Sequence, residues 1–203
     1  MNKLIIIGAG GHGKVIADIA HCLGYKDISF IDDRLSGACM GFPIIGTTGE
    51  IGKQYDSETD YIIGIGDNAV RRSVFEKYAV NWVTLIHPSA QIGMDVSIEK
   101  GTVVMANAVI NPGARVGKGV IINTASSVDH DCMVSDFSHI AVGAHLAGTV
   151  SIGESVTIGA GAVVINNCSV CCGTVVGAGA VVVRDIDRPG IYVGVPAKRT
   201  SKI

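Results

Sequence analysis

Aromatic residues make up only 5% of this 203-residue chain, with a single tryptophan, and charged residues only 17%. So few large rings exclude a core built around aromatic side chains. With 27 glycines and 48% hydrophobic residues, the composition points to a core assembled from small repeated pieces and argues against disorder. The formal net charge of −2 gives no basis for a polyanionic partner such as nucleic acid. Lys and Arg cluster only at Arg71-Arg72 and Lys198-Arg199. No run approaches the length of a membrane span. The apolar stretch Leu4 to Ile7 is short and is followed by glycines and Lys14, which reads as a strand rather than a signal peptide. The expected compartment is therefore the reducing cytoplasm, and the six cysteines are expected to be free thiols. Cys168, Cys171 and Cys172 have no Cys/His pair at finger-like spacing, so they read as small packing residues and no metal is expected.

What the chain does have is a period. Stepping six residues at a time from Ile86 to Val182 meets seventeen aliphatic residues without an insertion, among them Ile98, Ile110, Val128, Ile140 and Val164. The residue two before each is small or β-branched almost throughout, as at Ala108, Ala114, Ser126, Cys132 and Ala162. Positions two apart point the same way in a strand, so each hexad buries one large and one small side chain, and a six-residue period does not fit a helix. Glycine often follows the aliphatic, as at Gly93, Gly117 and Gly153, and is assigned to the corners. Three hexads make one triangular coil. Coils must stack to bury their aliphatics, so residues eighteen apart lie above one another.

The first half alternates differently. A strand over residues 3 to 7 ends in Gly8-Ala9-Gly10-Gly11-His12-Gly13, and a helix follows with Val15, Ile16, Ile19, Ala20 and Leu23 on one face. Strands at Ile28–Ile31 and Tyr61–Ile65 end in Asp32-Asp33 and Gly66-Asp67-Asn68. Asn68 is placed to cap a second helix whose inner face is Val70, Val74, Phe75 and Tyr78. Trp82 to Ile86 reads as the strand leading onward. The expected organisation is a Rossmann-like α/β domain over 1–83 and a parallel β-helix of hexapeptide repeats over 84–203.

In such sheets ligands bind at the carboxyl ends of the strands, where Gly10, Gly11, Gly13, Asp32, Asp33, Gly66 and Asn68 all fall. Glycines let backbone N–H groups approach a phosphate, and carboxylates accept from ribose or base. Gly8-x-Gly10-x-x-Gly13 also fits the dinucleotide fingerprint, but a single mononucleotide half with a histidine in the loop argues against NAD. A tight turn without a ligand is the alternative. In the repeat, His130 lies between Asp129 and Asp131, and a carboxylate beside a histidine can fix its tautomer. Which aspartate does so stays open. Gly148 is one coil beyond His130 and, lacking a side chain, leaves its N–H accessible, and Ala160 and Ala178 are one coil apart. Lys198 and Arg199 are placed to meet phosphates.

The Gly-Ala-Gly-Gly-His-Gly turn, Phe30-Ile31-Asp32-Asp33, Ile86-His87-Pro88, Asp129-His130-Asp131, Phe137-Ser138-His139 and Gly194-Val195-Pro196-Ala197-Lys198 together resemble one family over essentially the whole chain. It is that of the bacterial hexapeptide-repeat sugar acetyltransferases, typified by sialic acid O-acetyltransferases and UDP-4-amino-sugar N-acetyltransferases (NeuD/PglD-like). The resemblance implies a left-handed parallel β-helix, a homotrimer, and acetyl-CoA as co-substrate in a groove between neighbouring prisms. It further implies a UDP-sugar held by the N-terminal domain, with His12 against it. His130 is then the general base with Asp129 or Asp131 as its orienter. His139, Gly148, Ala160, Ala178 and Lys198 would attend acetyl-CoA. The expected reaction is direct N-acetylation of a UDP-linked 4-amino-dideoxy sugar. O-acetylation of a sialic acid-like sugar and a non-catalytic trimeric regulatory subunit are the alternatives.

Overall fold

The structure, a computed structural model, describes residues 3–51 and 58–200. The N-terminal part contains β1 (Lys3–Ile7), α1 (Gly11–Cys22), β2 (Ile28–Ile31), β3 (Ala38–Cys39), β4 (Phe42–Gly46), β5 (Thr59–Ile63), α2 (Asn68–Lys77) and β6 (Asn81–Trp82). These strands form one sheet in the order β3-β4-β2-β1-β5-β6, parallel except for the β3–β4 hairpin. β1 lies between β2 and β5, so the order reverses there and opens a crevice at the strand ends. Leu4, Ile5, Ile6 and Ile7 are all buried, as a central strand covered on both faces requires.

Several details differ from the sequence reading. The β3–β4 hairpin has no counterpart in it. The third predicted strand runs Thr59–Ile63, not Tyr61–Ile65. The segment Trp82 to Ile86 is not one strand: β6 closes the α/β sheet, and Leu85–Ile86 is already the first rung of the prism. The cap of α2 is Asp67, whose carboxylate accepts from the Val70 N–H at 2.9 Å, and Asn68 is the first helical residue. Val70 and Val15, assigned to inner faces, are 47% and 40% exposed. The buried residue of α2 is Arg71.

From Leu85 onward the chain winds as a parallel β-helix of three faces. The first face stacks Leu85–Ile86, Val103–Val104, Ile121–Ile122, His139–Ile140, Thr157–Ile158, Val175–Val176 and Ile191–Val193, closed by antiparallel Lys198–Thr200. The second runs from Gln91–Ile92 to Val181–Val182 and the third from Ser97–Ile98 to Ser169–Val170. Every parallel rung pairs with the one eighteen residues on, up to Val175–Val176, which pairs with Ile191–Tyr192. Inward large and small residues, among them Ile110, Val128 and Ile140 with Ala108, Ala114 and Ala144, form one continuous core. At the open first coil Ile92 is 39% exposed, because no rung lies beneath it.

The corners correct the glycine assignment. A left-handed backbone recurs every six residues at fifteen positions from Asp95 to Gly179, each three residues past the aliphatic. It is held by Gly, Asn, Asp and Ser, and also by Ala125, Phe137 and Thr149. The glycines that directly follow the aliphatic serve instead for close approach. A Cβ on Gly93 would stand 2.6 Å from the Pro112 nitrogen, and one on Gly159 would stand 2.6 Å from the Ala178 nitrogen.

The first face is where the N-terminal domain docks. Its outward residues Leu85, Val103 and Ile121 are apolar and buried with Ile16, Ile19 and Ala20 of α1. Each such side chain contributes roughly 1.5–3 kcal/mol of burial. No helix among the described residues is long and apolar enough to cross a membrane.

Candidate active site

The edge between the second and third faces carries His130. Its Nδ1 lies 2.9 Å from Asp131 Oδ2. Asp131 occupies one of the left-handed corners, at φ 57°, which turns its side chain back onto the ring beside it. Asp129 does something else: its Oδ1 accepts from Asn111 Nδ2 at 2.7 Å and from the His130 backbone N–H at 2.7 Å. The Asn111 bond first, then the His130 N–H, hold the Asp129 carboxyl below its ordinary pKa. The hydrogen bond that the ring donates to Asp131 raises the His130 pKa, and both neighbouring carboxylate charges add to it. With Nδ1 engaged by a carboxylate, the proton is assigned to Nδ1 and the lone pair to Nε2.

Gly148 stacks on His130 as the eighteen-residue rule requires, with the Thr149 N–H bonded to the His130 carbonyl at 2.9 Å. Gly148 is buried, and a Cβ there would meet the imidazole Nε2 and lie 2.7 Å from Cε1. Only glycine leaves the ring its place. Ala160 and Ala178 stack on each other, but along the edge between the first and second faces, so the whole second face separates them from His130 within one chain. Among the described residues no acceptor meets the N–H of Gly148, Ala160 or Ala178. Lys198 is exposed at the far end, where it lines a cavity of about 270 Å³ with Arg184, Tyr192 and Arg199.

A second cavity, about 520 Å³, opens at the crevice of the α/β sheet and is lined by Gly8, Gly10, Gly11, His12, Asp32, Asp33, Arg34, Thr48, Gly66 and Asp67, among others. Two of the predicted residues are not part of its lining. Gly13 is buried where a Cβ would strike the Gly8 carbonyl, so it permits α1 to pack on the sheet. Asn68 points to the prism, donating to Thr157 Oγ1 at 3.0 Å and to the Val156 carbonyl at 3.3 Å. Asp32 ties the glycine loop to the following turn by accepting from the Ala9, Arg34 and Leu35 N–H groups at 2.8, 2.8 and 2.9 Å. Burial works to raise its pKa, but these donors and the Arg34 charge outweigh it and hold the carboxyl below its ordinary value. Asp33 is engaged by Thr48, through N–H at 2.8 Å and hydroxyl at 2.9 Å.

His139 lies on the first face, under the N-terminal domain, close to His12 and Arg71. Burial, then the charge of Arg71, pushes the His139 pKa down to about 4. Burial, then His139 and Arg71, pushes His12 down to about 3, and the buried His12 Nε2 has no partner among the described residues. Asn123 Nδ2 stands 3.0 Å from His139 Nε2, and the Thr124 N–H holds the other end of that amide at 2.8 Å. His139 Nε2 is therefore the acceptor. The remaining histidines stand apart: His21 is exposed on α1, His87 Nδ1 accepts from the Ser89 N–H, and His145 Nδ1 bonds Ser127 Oγ. Sequence reasoning missed Asn111, Asn123, Thr48 and Arg71. Asn111 was within reach, since it stands eighteen residues before Asp129.

A prism of hexapeptide coils with an imidazole–carboxylate pair on one edge and open backbone amides on two edges defines a hexapeptide-repeat acyltransferase. The PglD N-terminal domain family matches residues 3–78. The acetyltransferase domain of PglB from Neisseria gonorrhoeae FA1090, solved with acetyl coenzyme A, is 44% identical, with 98% of this chain and 99% of that chain covered and a TM-score of 0.96. PerB from Caulobacter crescentus, solved with CoA and GDP-perosamine, is 35% identical over 99% of this chain and 98% of that one, with a TM-score of 0.94. UDP-N-acetylbacillosamine N-acetyltransferase of Bacillus subtilis (strain 168) is 33% identical over 124 residues, covering 52% of each chain. The chain belongs to the NeuD/PglD-like family of hexapeptide-repeat sugar acetyltransferases.

Proposed function

We propose that this protein transfers acetyl from acetyl-CoA to the amino group of a nucleotide-linked amino sugar, with a UDP-linked 4-amino-dideoxy sugar as the substrate. The observation that carries this reading is the His130 Nδ1–Asp131 contact of 2.9 Å, which leaves Nε2 as a base over Gly148. The sugar amine attacks the thioester carbonyl, and His130 Nε2 takes the proton the amine loses. The Gly148 N–H faces the oxygen on which negative charge develops. The tetrahedral intermediate collapses with loss of CoA thiolate, which receives the proton from His130. No acyl-enzyme is required, since Cys132 is buried and burial raises its thiol pKa.

Ala160 and Ala178 offer their free N–H groups to the pantetheine arm, and Lys198 its charge to the phosphates. The crevice cavity takes the nucleotide. Because His130 and the Ala160–Ala178 column sit on different edges, one complete site needs two copies of the chain, as in a homotrimer with seams between prisms. His130 of one copy then faces His139 and the N-terminal cavity of the next.

The test is an assay of purified protein with acetyl-CoA and, separately, UDP- and GDP-linked 4-amino sugars and free sialic acid, following CoA thiol release and product mass. Acetylation of the nucleotide amino sugars, lowered 10²–10⁴-fold on the order expected for loss of a general base in His130→Ala, supports the reading. Turnover of sialic acid alone, or a His130→Ala variant with native kcat, overturns it.

A further inference from the structure

Arg71 is 1% exposed and, although the Asp67 charge lies near, makes no bond to a carboxylate among the described residues. Its Nε donates to the Gly119 carbonyl at 2.6 Å. Nη1 reaches the Ile65 and Gly66 carbonyls at 3.2 and 3.0 Å. Nη2 reaches Asn68 Oδ1 and the Phe137 carbonyl, both at 2.8 Å, with Ser138 O at 3.4 Å. Burying a cation among neutral carbonyls carries a desolvation cost that the fold does not need to meet, because α2 already packs through Phe75 on Trp82 and Phe137. The two sets of acceptors explain its presence. Ile65 and Gly66 form the rim of the crevice cavity. Phe137 and Ser138 are the residues that lead into His139, and Gly119 lies one coil below Phe137 on the same edge. A planar fork can hold both sets at one fixed distance, whereas an ammonium cannot.

We propose that Arg71 is a positioning residue for acetyl transfer, setting the separation between the nucleotide-sugar cavity and the strand that delivers His139. This rests on the functional reading above, in which the cavity holds the nucleotide and His139 borders the transfer seam. Each substrate keeps its own pocket when Arg71 is changed, so the loss falls on the chemical step rather than on binding. The charge of Arg71 also disfavours protonation of His12 and His139, which gives the role a second signature.

The experiment uses the full chain and its Arg71→Lys and Arg71→Gln variants, with near-UV circular dichroism to show a native fold. Calorimetry with UDP alone and with CoA alone gives the concentration of competent sites, and kcat is expressed per such site. The expected result is a kcat lowered on the order of 10²-fold in both variants, the penalty of a misplacement of about 1 Å, with both dissociation constants within threefold of wild type. In Arg71→Gln the His12 and His139 imidazole titrations, followed by NMR, also move to higher pH, because the rings are released from the neighbouring cation; Arg71→Lys, which keeps the charge, does not move them. If Arg71→Gln does not fold, Arg71→Lys decides. Native kcat per site in the folded variants overturns the role of Arg71 alone, and so does failure of both to fold, which makes the residue purely structural. Wild-type protein that binds UDP but acetylates no nucleotide-linked amino sugar overturns the functional reading and this role with it.

Discussion

At His130 two carboxylates flank one imidazole and divide the work between them. Asp131 grips the ring nitrogen, and Asp129 grips the backbone and the Asn111 amide. The sequence shows the triplet but not this division, because it depends on the left-handed turn at Asp131 and on a partner one coil away. A consequence follows for pH. Asp131 stabilises the imidazolium, so the proposed base loses its proton at a pH above the ordinary histidine value. The wild-type acid limb of kcat/KM therefore falls above pH 6.5, and Asp131→Asn shifts it to lower pH. The same change lowers the plateau on the order of 10²-fold, since a weaker base with an unfixed tautomer remains. A pH–rate profile of both proteins checks this, and superimposable acid limbs would contradict it. Gly148 was legible by counting alone. Arg71 was not, since a charged residue among exposed neighbours on a helix carries no periodic signal that it is buried.

At the level of the elements, the hexad announces a three-faced solenoid because two inward positions per six residues fit a strand and nothing else. Its outward positions carry a further message. Leu85, Val103 and Ile121 are apolar at eighteen-residue spacing on one face, whereas the matching positions on the third face are Ser97, Arg115 and Met133. That asymmetry marks where α1 lies. Ile121→Ala should lower unfolding free energy by about 2–4 kcal/mol, the loss of a buried side chain plus the cavity it leaves. Urea unfolding reads it, and a change below about 0.5 kcal/mol would remove this face from the docking core. The docking of α2 was less legible. It runs along the edge where Gly101 and Gly119 make room for Phe75 and Phe137, and Cβ atoms there would lie 2.7 Å from those rings. Glycines that look like corner residues in sequence are also the groove for a helix.

For the whole molecule, the decisive geometry is that the edge carrying His130 and Gly148 and the edge carrying the Ala160 and Ala178 amides are different edges of one prism. The proposal that each site joins two copies makes a quantitative forecast. His130→Ala and His139→Ala, each inactive alone, should regain about one working site in four when unfolded together at equal amounts and reassembled, because a random ring places the two intact halves side by side that often. A mixture no more active than the sum of its parents would assign both histidines to one chain. By itself the sequence determined the solenoid, the α/β domain, the acidic triplet and the glycine above it, since strand alternation and eighteen-residue stacking are local rules written in residue type and spacing. Only the tertiary structure decided which aspartate holds the ring, that Asn68 faces the prism, and that Arg71 joins the cavity rim to the residues before His139. The first depends on a left-handed corner and a partner one coil away, and the other two on how the two domains approach each other, a distance that no periodicity in either one records.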